Sequence, residues 1–493
     1  MIISKYFIKS SFIYSVIGAL PLAASVFLLP FYTNYLTTEQ FGLLALYIAF
    51  TGIVQILVTY GLDNYIGIIY VEKKHDPSKT KEYIGTIVTL LLLIAAVFLI
   101  FFLISGNSLF AFFSRQTKNK TILEFFPWGI MSVLTAIFNS LFKTYIMLLI
   151  FQQRAVKYFF MNIFNFILTT SISLAGILYM PYTLNGPMFG RLLSGLGIFI
   201  LALYFFLKEF GITYRISFLR EIAAFCSPLL ISFILIWILG NLDKFIIAYF
   251  LNNSEVAIFS FAVSCTFLLE FFHSGLASAI VPKVINIWKN QEVKHSTVEV
   301  NRYFNGFTAI TLLIIPVFIL VMPILVPLVV KKHDYFVAFT FLPVLAVAYA
   351  LGGLRAYFTT TIMFLKKTKV LPKVYLISSI IQIVLTIYFI KYFGIIGAAW
   401  AFFIVRFVQL ILLYLASRKF FQYSMNKTKQ LFLPLAYIAM VLLSEQFVTD
   451  KFKLLIEIGQ MLTIFSLVFW VYRREIILVV KPFFEKKNRT EFD

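Results

Sequence analysis

The sequence predicts an all-α membrane protein of about fourteen transmembrane helices, and three observations carry that expectation. Only 13% of the 493 residues are charged, against about 25% in a soluble domain. Apolar stretches recur from Ser11 to Trp470, each near the roughly 20 residues that a bilayer crossing needs. These stretches are continuous and do not alternate. That pattern fits helices and not barrel strands, the only two backbones that satisfy their own hydrogen bonds in hydrocarbon.

The first helix is expected near 12–35. Lys5 and Lys9 ahead of it imitate a secretory leader, but Pro21 to Tyr35 extend the apolar pattern past any cleavage point, so it reads as an uncleaved span. The second, near 41–66, ends before the polar run "EKKHDPSKTK" (72–81), and the third follows near 83–104. The fourth and fifth lie near 124–149 and 157–180. "PYTLNGP" (181–187) is a turn by its Pro, Asn and Gly, and it leads to the sixth near 187–207. The seventh and eighth lie near 222–250 and 255–281, and the polar run 282–302 leads to the ninth near 304–330. The rest fall near 336–365, 370–391, 395–417, 431–448 and 454–472.

The formal net charge is +21. In a soluble protein that excess would suggest nucleic acid. Here the Lys/Arg bias of cytoplasmic loops explains it, so no nucleic-acid partner is implied. Alternating the loops from a cytoplasmic N-terminus puts most of the 42 Lys and Arg residues on one side, and both termini in the cytoplasm. Cys226 and Cys265 fall in apolar spans, with neither metal nor disulfide spacing. The chain has no phosphate-binding G-x-x-x-x-G-K-[ST] loop and no H-E-x-x-H. The longest outer loop, about 105–123, holds no His or acid. No catalytic set and no metal site are implied, which argues against a membrane polymerase or acyltransferase.

An internal repeat is present. "FKTYIMLLIFQQRAVKYF" from Phe142 lies over "LRAYFTTTIMFLKKTKVL" from Leu354 without a gap, so that Lys143 meets Arg355 and Tyr145 meets Tyr357. "LTTEQFGLLALYIAF" (36–50) likewise resembles "LNNSEVAIFSFAV" (251–263). The repeat predicts two pseudo-symmetric six-helix lobes, 1–210 and 211–420, around a central cavity, with two extra helices and a basic tail in 421–493. Transporters built this way place the substrate site between the halves.

Charges inside spans are costly, about 2.5–3.5 kcal/mol at mid-bilayer on insertion scales. Five cations lie there: Lys143, Arg191, Lys244, Arg355 and Arg406. Arg355 and Arg406 are too deep to snorkel; they either line a polar cavity or form structural pairs that fix lobe packing. Lys143 allows partial snorkelling, and Arg191 and Asp63 either serve the site or reach an interface. Glu270 and His273, three apart, share a helix face. They read as a proton or cation site, or as partners for a nearby cation. Asp243 and Lys244 follow Gly240-Asn241, which is expected to loosen the helix. Each of the two needs its own partner, because adjacent residues diverge on a helix. The cations outnumber the acids, which implies an anionic guest, and phosphate oxygens suit Arg and Lys.

A family resemblance agrees with this. "NLDKFIIAYFLNNSEVAIFSFA" (241–262), "FGLLALYIAF" (41–50), "GLDNYIGIIY" (61–70) and "KYFGIIGAAWAFFIVRF" (391–407) resemble segments of the Wzx-type polysaccharide and O-antigen flippases. These belong to the multidrug/oligosaccharidyl-lipid/polysaccharide exporter superfamily. The resemblance implies alternating-access transfer of a polyprenyl-diphosphate-linked oligosaccharide across the bacterial inner membrane, for lipopolysaccharide, capsule or exopolysaccharide. It implies membrane lipids, a polysaccharide polymerase and chain-length proteins as partners, and no cofactor beyond a coupling Na+ or H+. On this reading Arg355, Arg406, Lys143, Lys244 and Arg191 bind substrate, and Asp243, Glu270, His273 and Asp63 tune charge or couple an ion. Lipid II flippases of the same superfamily carry cations in the first helix, and residues 12–35 here hold none. The multidrug exporters favour acids in the first lobe, where this chain has few.

Overall fold

The structure is a computed structural model that describes residues 20–116, 123–290, 293–447, 450–473 and 475. Residues 12–19, where the sequence starts the first helix, lie outside the described residues. The described part of that helix is Leu20–Tyr35. Among the described residues, eleven helices are long and apolar enough to cross a membrane. One of them, Thr368–Ser417, runs for 50 residues, roughly 75 Å at 1.5 Å per residue and far longer than a 30 Å hydrocarbon core. It is two spans, because Gly394 breaks it with φ 60° and ψ −143°. A Cβ at Gly397 would overlap the Phe389 carbonyl oxygen, so the corner needs glycine at both places. With the shorter helices Leu20–Tyr35 and Leu433–Phe447, the described residues account for all fourteen expected spans.

Two expected helices are interrupted. The second runs Thr38–Thr59, passes through left-handed Tyr60 and Gly61, and resumes as Leu62–Lys73. It starts on a capping box, in which Thr37 and Gln40 satisfy each other's backbone amides. The tenth, expected to run unbroken over 336–365, is instead a 3-10 turn His333–Thr340, a helix Leu342–Val347, a turn, and a helix Gly352–Phe364. Irregular backbone at membrane depth must be buried in protein or line a wet cavity. Here the stretch from Leu342 to Leu354 is almost wholly buried. By contrast, the helix Ile216–Phe250 passes Gly240-Asn241 without a break, so the loosening expected there does not occur.

The chain forms two compact units: residues 1–264 with 330–335, and residues 265–329 with 336–493. In the first, Ala155–Tyr179 lies along Asn185–Phe210, and Ile130–Phe151 packs against both Asn185–Phe210 and Thr38–Thr59. Its core is built on Leu62, Ile66, Ile84, Leu141, Tyr145 and Phe206. Residues 330–335 belong to this unit because Lys331 donates its amide to Asn34 at 2.8 Å, and the Thr38 hydroxyl donates to Asp334 at 2.7 Å.

In the second unit, Val293–Val329 packs against Gly352–Phe364 and Asp450–Val471. Trp288, Phe304, Tyr357 and Phe421 form a core at one end. A polar clasp beside that core ties three segments. Lys429 Nζ lies 2.7 Å from both Glu475 oxygens, Asn305 donates to Glu475 at 2.9 Å, and Gln430 donates to Asn305 at 2.9 Å. Burial alone would raise the Glu475 carboxyl, but the hydrogen bonds from Lys429 and Asn305 outweigh it and hold the group below its usual 4.5. A depressed carboxyl stabilises the fold above its unfolded value, and that contribution is lost as pH falls through the folded value. The melting temperature of the detergent-solubilised protein is therefore expected to fall as pH drops below 4.5, and Glu475→Gln to flatten that part of the curve. Parallel curves for the two proteins would refute the clasp.

Candidate functional site

Four of the residues singled out from sequence converge in the second unit. Glu270 and His273 stand on Asn253–Asn290, Arg355 opens the Gly352–Phe364 helix, and Arg406 lies on the second arm of Leu371–Ser417. Arg355 is within electrostatic reach of Arg406, Glu270, Tyr349 and Tyr375, and His273 is within reach of Arg355. Tyr349 in turn feels Arg406, Glu270 and Arg355. Neither guanidinium has a carboxylate within 4.0 Å among the described residues. Arg406 instead stacks over Phe402, 5.0 Å from the ring centroid. Glu270 is thus the acid within electrostatic reach of Arg355, without closing an ion pair at 4.0 Å.

His273 is set by packing. Its Nε2 shares a hydrogen bond with the Thr311 hydroxyl at 3.1 Å. Its ring meets Phe307 and Tyr349 edge-on at 5.3 and 5.5 Å. A Cβ at Gly352 would overlap the imidazole, so glycine there is what admits the ring. The break before Gly352 also opens a helix N-terminus one turn from Arg355, and its partial positive charge adds to that of the guanidiniums. Such half-helix ends suit anionic substrate groups in transporters.

The remaining residues sit in the first unit, in three places. Lys143 Nζ lies 3.0 Å from Asp63 Oδ2; the Asp63 side chain is 3% exposed and that of Lys143 is 45% exposed. Asn64 donates to the other Asp63 oxygen at 3.1 Å, and Lys143 also lies 5.7 Å from the Phe233 ring. Asp63 is thus not the solvated interface residue that its place near a helix end allowed. The left-handed break at Tyr60-Gly61 carries the following turn inward, against Cys226. Lys244 donates to Asn241 one turn back at 3.1 Å, while Asp243 is buried at 3% exposure. Arg191 lies within reach of the buried Tyr32.

Two tyrosines of the second unit carry no sequence signal for a site. Tyr349 and Tyr375 count as apolar in a span, yet both lie within reach of the two arginines. Glu221 of the first unit likewise carries no sequence signal; it accepts from Tyr65 at 2.9 Å and from Tyr83 at 3.1 Å. Among the described residues, no group of His, Cys, Asp and Glu could hold a metal ion.

The family described as "Polysaccharide biosynthesis protein" matches residues 7–288. No curated protein sequence gives a significant match. Among solved structures, the chain is similar to the lipid II flippase MurJ in an inward closed conformation, with a TM-score of 0.73 at 14% identity, over 94% of this chain and 99% of that one. It is also similar to an inward-facing multidrug resistance MATE family transporter of the MOP superfamily, with a TM-score of 0.67 at 15% identity, over 82% of this chain and 94% of that one. At these identities the likeness is one of fold.

Proposed function

The chain belongs to the polysaccharide biosynthesis protein family of the MOP exporter superfamily, and from that premise we propose that it flips a polyprenyl-diphosphate-linked oligosaccharide across the bacterial cytoplasmic membrane for surface polysaccharide synthesis. The observation that carries this reading is the pair Arg355 and Arg406. Two guanidiniums stand within reach of each other at mid-span, with no carboxylate within 4.0 Å among the described residues. Like charges at that depth are stable together when an anion joins them, and a diphosphate offers the bidentate oxygens that arginine prefers.

In this mechanism the arginines take the diphosphate, and the hydroxyls of Tyr349 and Tyr375 complete its hydrogen bonding. The polyprenyl tail stays in lipid. The Gly352 helix end adds its dipole. Glu270 and His273 tune the cluster when it is empty, and a proton or Na+ at Glu270 would weaken its longer-range pull on Arg355. Lys143, held by Asp63, and Lys244 and Arg191 are secondary cations along the route. Two lobes, 1–210 and 211–420, would rock in alternating access, with both termini cytoplasmic. A polymerase and chain-length proteins would take the glycan on the far side. Reconstituted flipping of the lipid-linked oligosaccharide tests the reading, with lipid II and a cationic drug as the competing substrates.

A further inference from the structure

One turn occurs twice in this chain. After Ile130–Phe151, Gln152 donates its amide to Leu148 at 2.9 Å, Arg154 donates to Leu149 at 3.0 Å, and Gln153 between them has φ 57°. After Gly352–Phe364, Leu365 donates to Thr361 at 3.0 Å, Lys367 donates to Ile362 at 3.0 Å, and Lys366 has φ 55°. Arg154 and Lys367 are therefore equivalent by geometry, one residue away from the gapless sequence register.

Their surroundings differ in charge. In the first unit, Arg154 pairs with Glu209 at 2.7 Å, Arg215 pairs with Glu82 at 2.9 Å, and Lys157 lies 3.8 Å from the Phe205 ring. In the second unit, the segments 365–373 and 418–427 contain no acid at all. They carry Lys366, Lys367, Lys369, Lys373, Arg418 and Lys419, all six of them exposed. None of the six has a carboxylate within 4.0 Å among the described residues. Lys367 reaches the Phe420 ring at 5.4 Å, so the two segments form one surface, and that ring is itself 45% exposed. The surface stands on an aromatic base, with Trp288 5.0 Å from Phe364 and 5.5 Å from Phe421.

The Lys/Arg bias of cytoplasmic loops places cations in both turns. It does not explain why acids of other helices meet the cations on one side and not on the other. Six cations with no carboxylate within 4.0 Å among the described residues, one of them on an exposed ring, call for an external anion at the membrane surface. We propose that this surface of the second unit binds anionic phospholipid headgroups of the adjacent leaflet, and so anchors that unit while the protein works. The proposal needs the Lys/Arg-rich side to face that leaflet, which is the orientation that the loop charges imply.

The test uses the full-length protein in detergent with added phosphatidylglycerol, counting bound lipid by native mass spectrometry. The variant is Lys366→Gln/Lys367→Gln/Lys369→Gln; the control is Arg154→Gln/Lys157→Gln in the sister turn. A cation near an anionic surface gains about fivefold in binding, so the triple variant should lose at least about tenfold in apparent affinity, with the loss shrinking at high salt. The control should keep wild-type affinity. Unchanged phosphatidylglycerol binding in the triple variant, or equal loss in the control, overturns the proposal. So does unchanged lipid binding together with loss of an acidic protein that co-purifies with wild type, which would assign the surface to that protein. Lipid counts in detergent do not depend on which way the loops face. Labelling of Lys419→Cys in intact cells therefore reports a failed orientation separately.

Discussion

Replacing either Arg355 or Arg406 by alanine is expected to abolish export of surface polysaccharide while the protein remains in the membrane at normal level. Each guanidinium is within electrostatic reach of the other and has no carboxylate within 4.0 Å among the described residues, so neither substitution breaks an ion pair. On the proposed reading, what is lost is a charge-assisted contact to phosphate, about 1.5–3 kcal/mol, or roughly 10- to 100-fold in affinity. Arginine to lysine should retain part of the activity, because the charge survives and the bidentate fork does not. Removing both should cost little more than removing one if the pair clamps a single diphosphate. The measurement is surface polysaccharide per cell, normalised to protein in the membrane fraction. Wild-type export from both alanine variants would remove the arginine clamp from the mechanism.

The second large effect concerns stability and falls on Lys143. Its partner Asp63 is 3% exposed, while Lys143 itself is 45% exposed. Lys143→Ala leaves a buried carboxylate without its cation, at a cost of about 1–3 kcal/mol. Asp63→Ala leaves an ammonium that water still reaches, and should cost clearly less. The double variant should therefore melt close to Asp63→Ala and above Lys143→Ala. Thermal unfolding of the three purified proteins decides the matter. Equal losses from the two single variants would mean that the pair is not the asymmetric one described.

The contrast between these sites shows what a sequence carries. Charges in spans are rare, so Arg355, Arg406, Glu270 and Lys143 stand out by residue type and depth alone. Asp63 stands out too, but its pairing does not, because Asp63 and Lys143 meet only after Tyr60 and Gly61 turn the chain left-handed. A tyrosine in that conformation has no sequence signal. The break before Gly352 is hidden for a related reason: "VLAVAYALGGL" reads as one apolar run, and its first glycine serves to admit the His273 ring. Tyr349 and Tyr375 pass for lipid-facing or core aromatics, since a phenol declares its hydroxyl only through its neighbours. The repeat is legible but out of step. Phe- and Leu-rich helices slide past one another at little loss in similarity, whereas the hydrogen bonds of the turn after Phe151 and Phe364 fix the register to a single residue. The fourteen spans need only length and hydropathy, and those survive any error of register.

The proposed mechanism centres on the arginine pair of the second unit, moving a polyprenyl diphosphate that carries an oligosaccharide. The most direct test reconstitutes the purified chain in proteoliposomes with fluorescent polyprenyl-diphosphate-linked oligosaccharide. It then follows the fraction open to an external sugar-cleaving enzyme. Protein-dependent exchange between leaflets is expected, and Arg355→Ala and Arg406→Ala should each remove it, with no exchange of lipid II or a cationic drug above empty vesicles. Exchange of lipid II without the oligosaccharide, or exchange of the oligosaccharide that survives both substitutions, would contradict it.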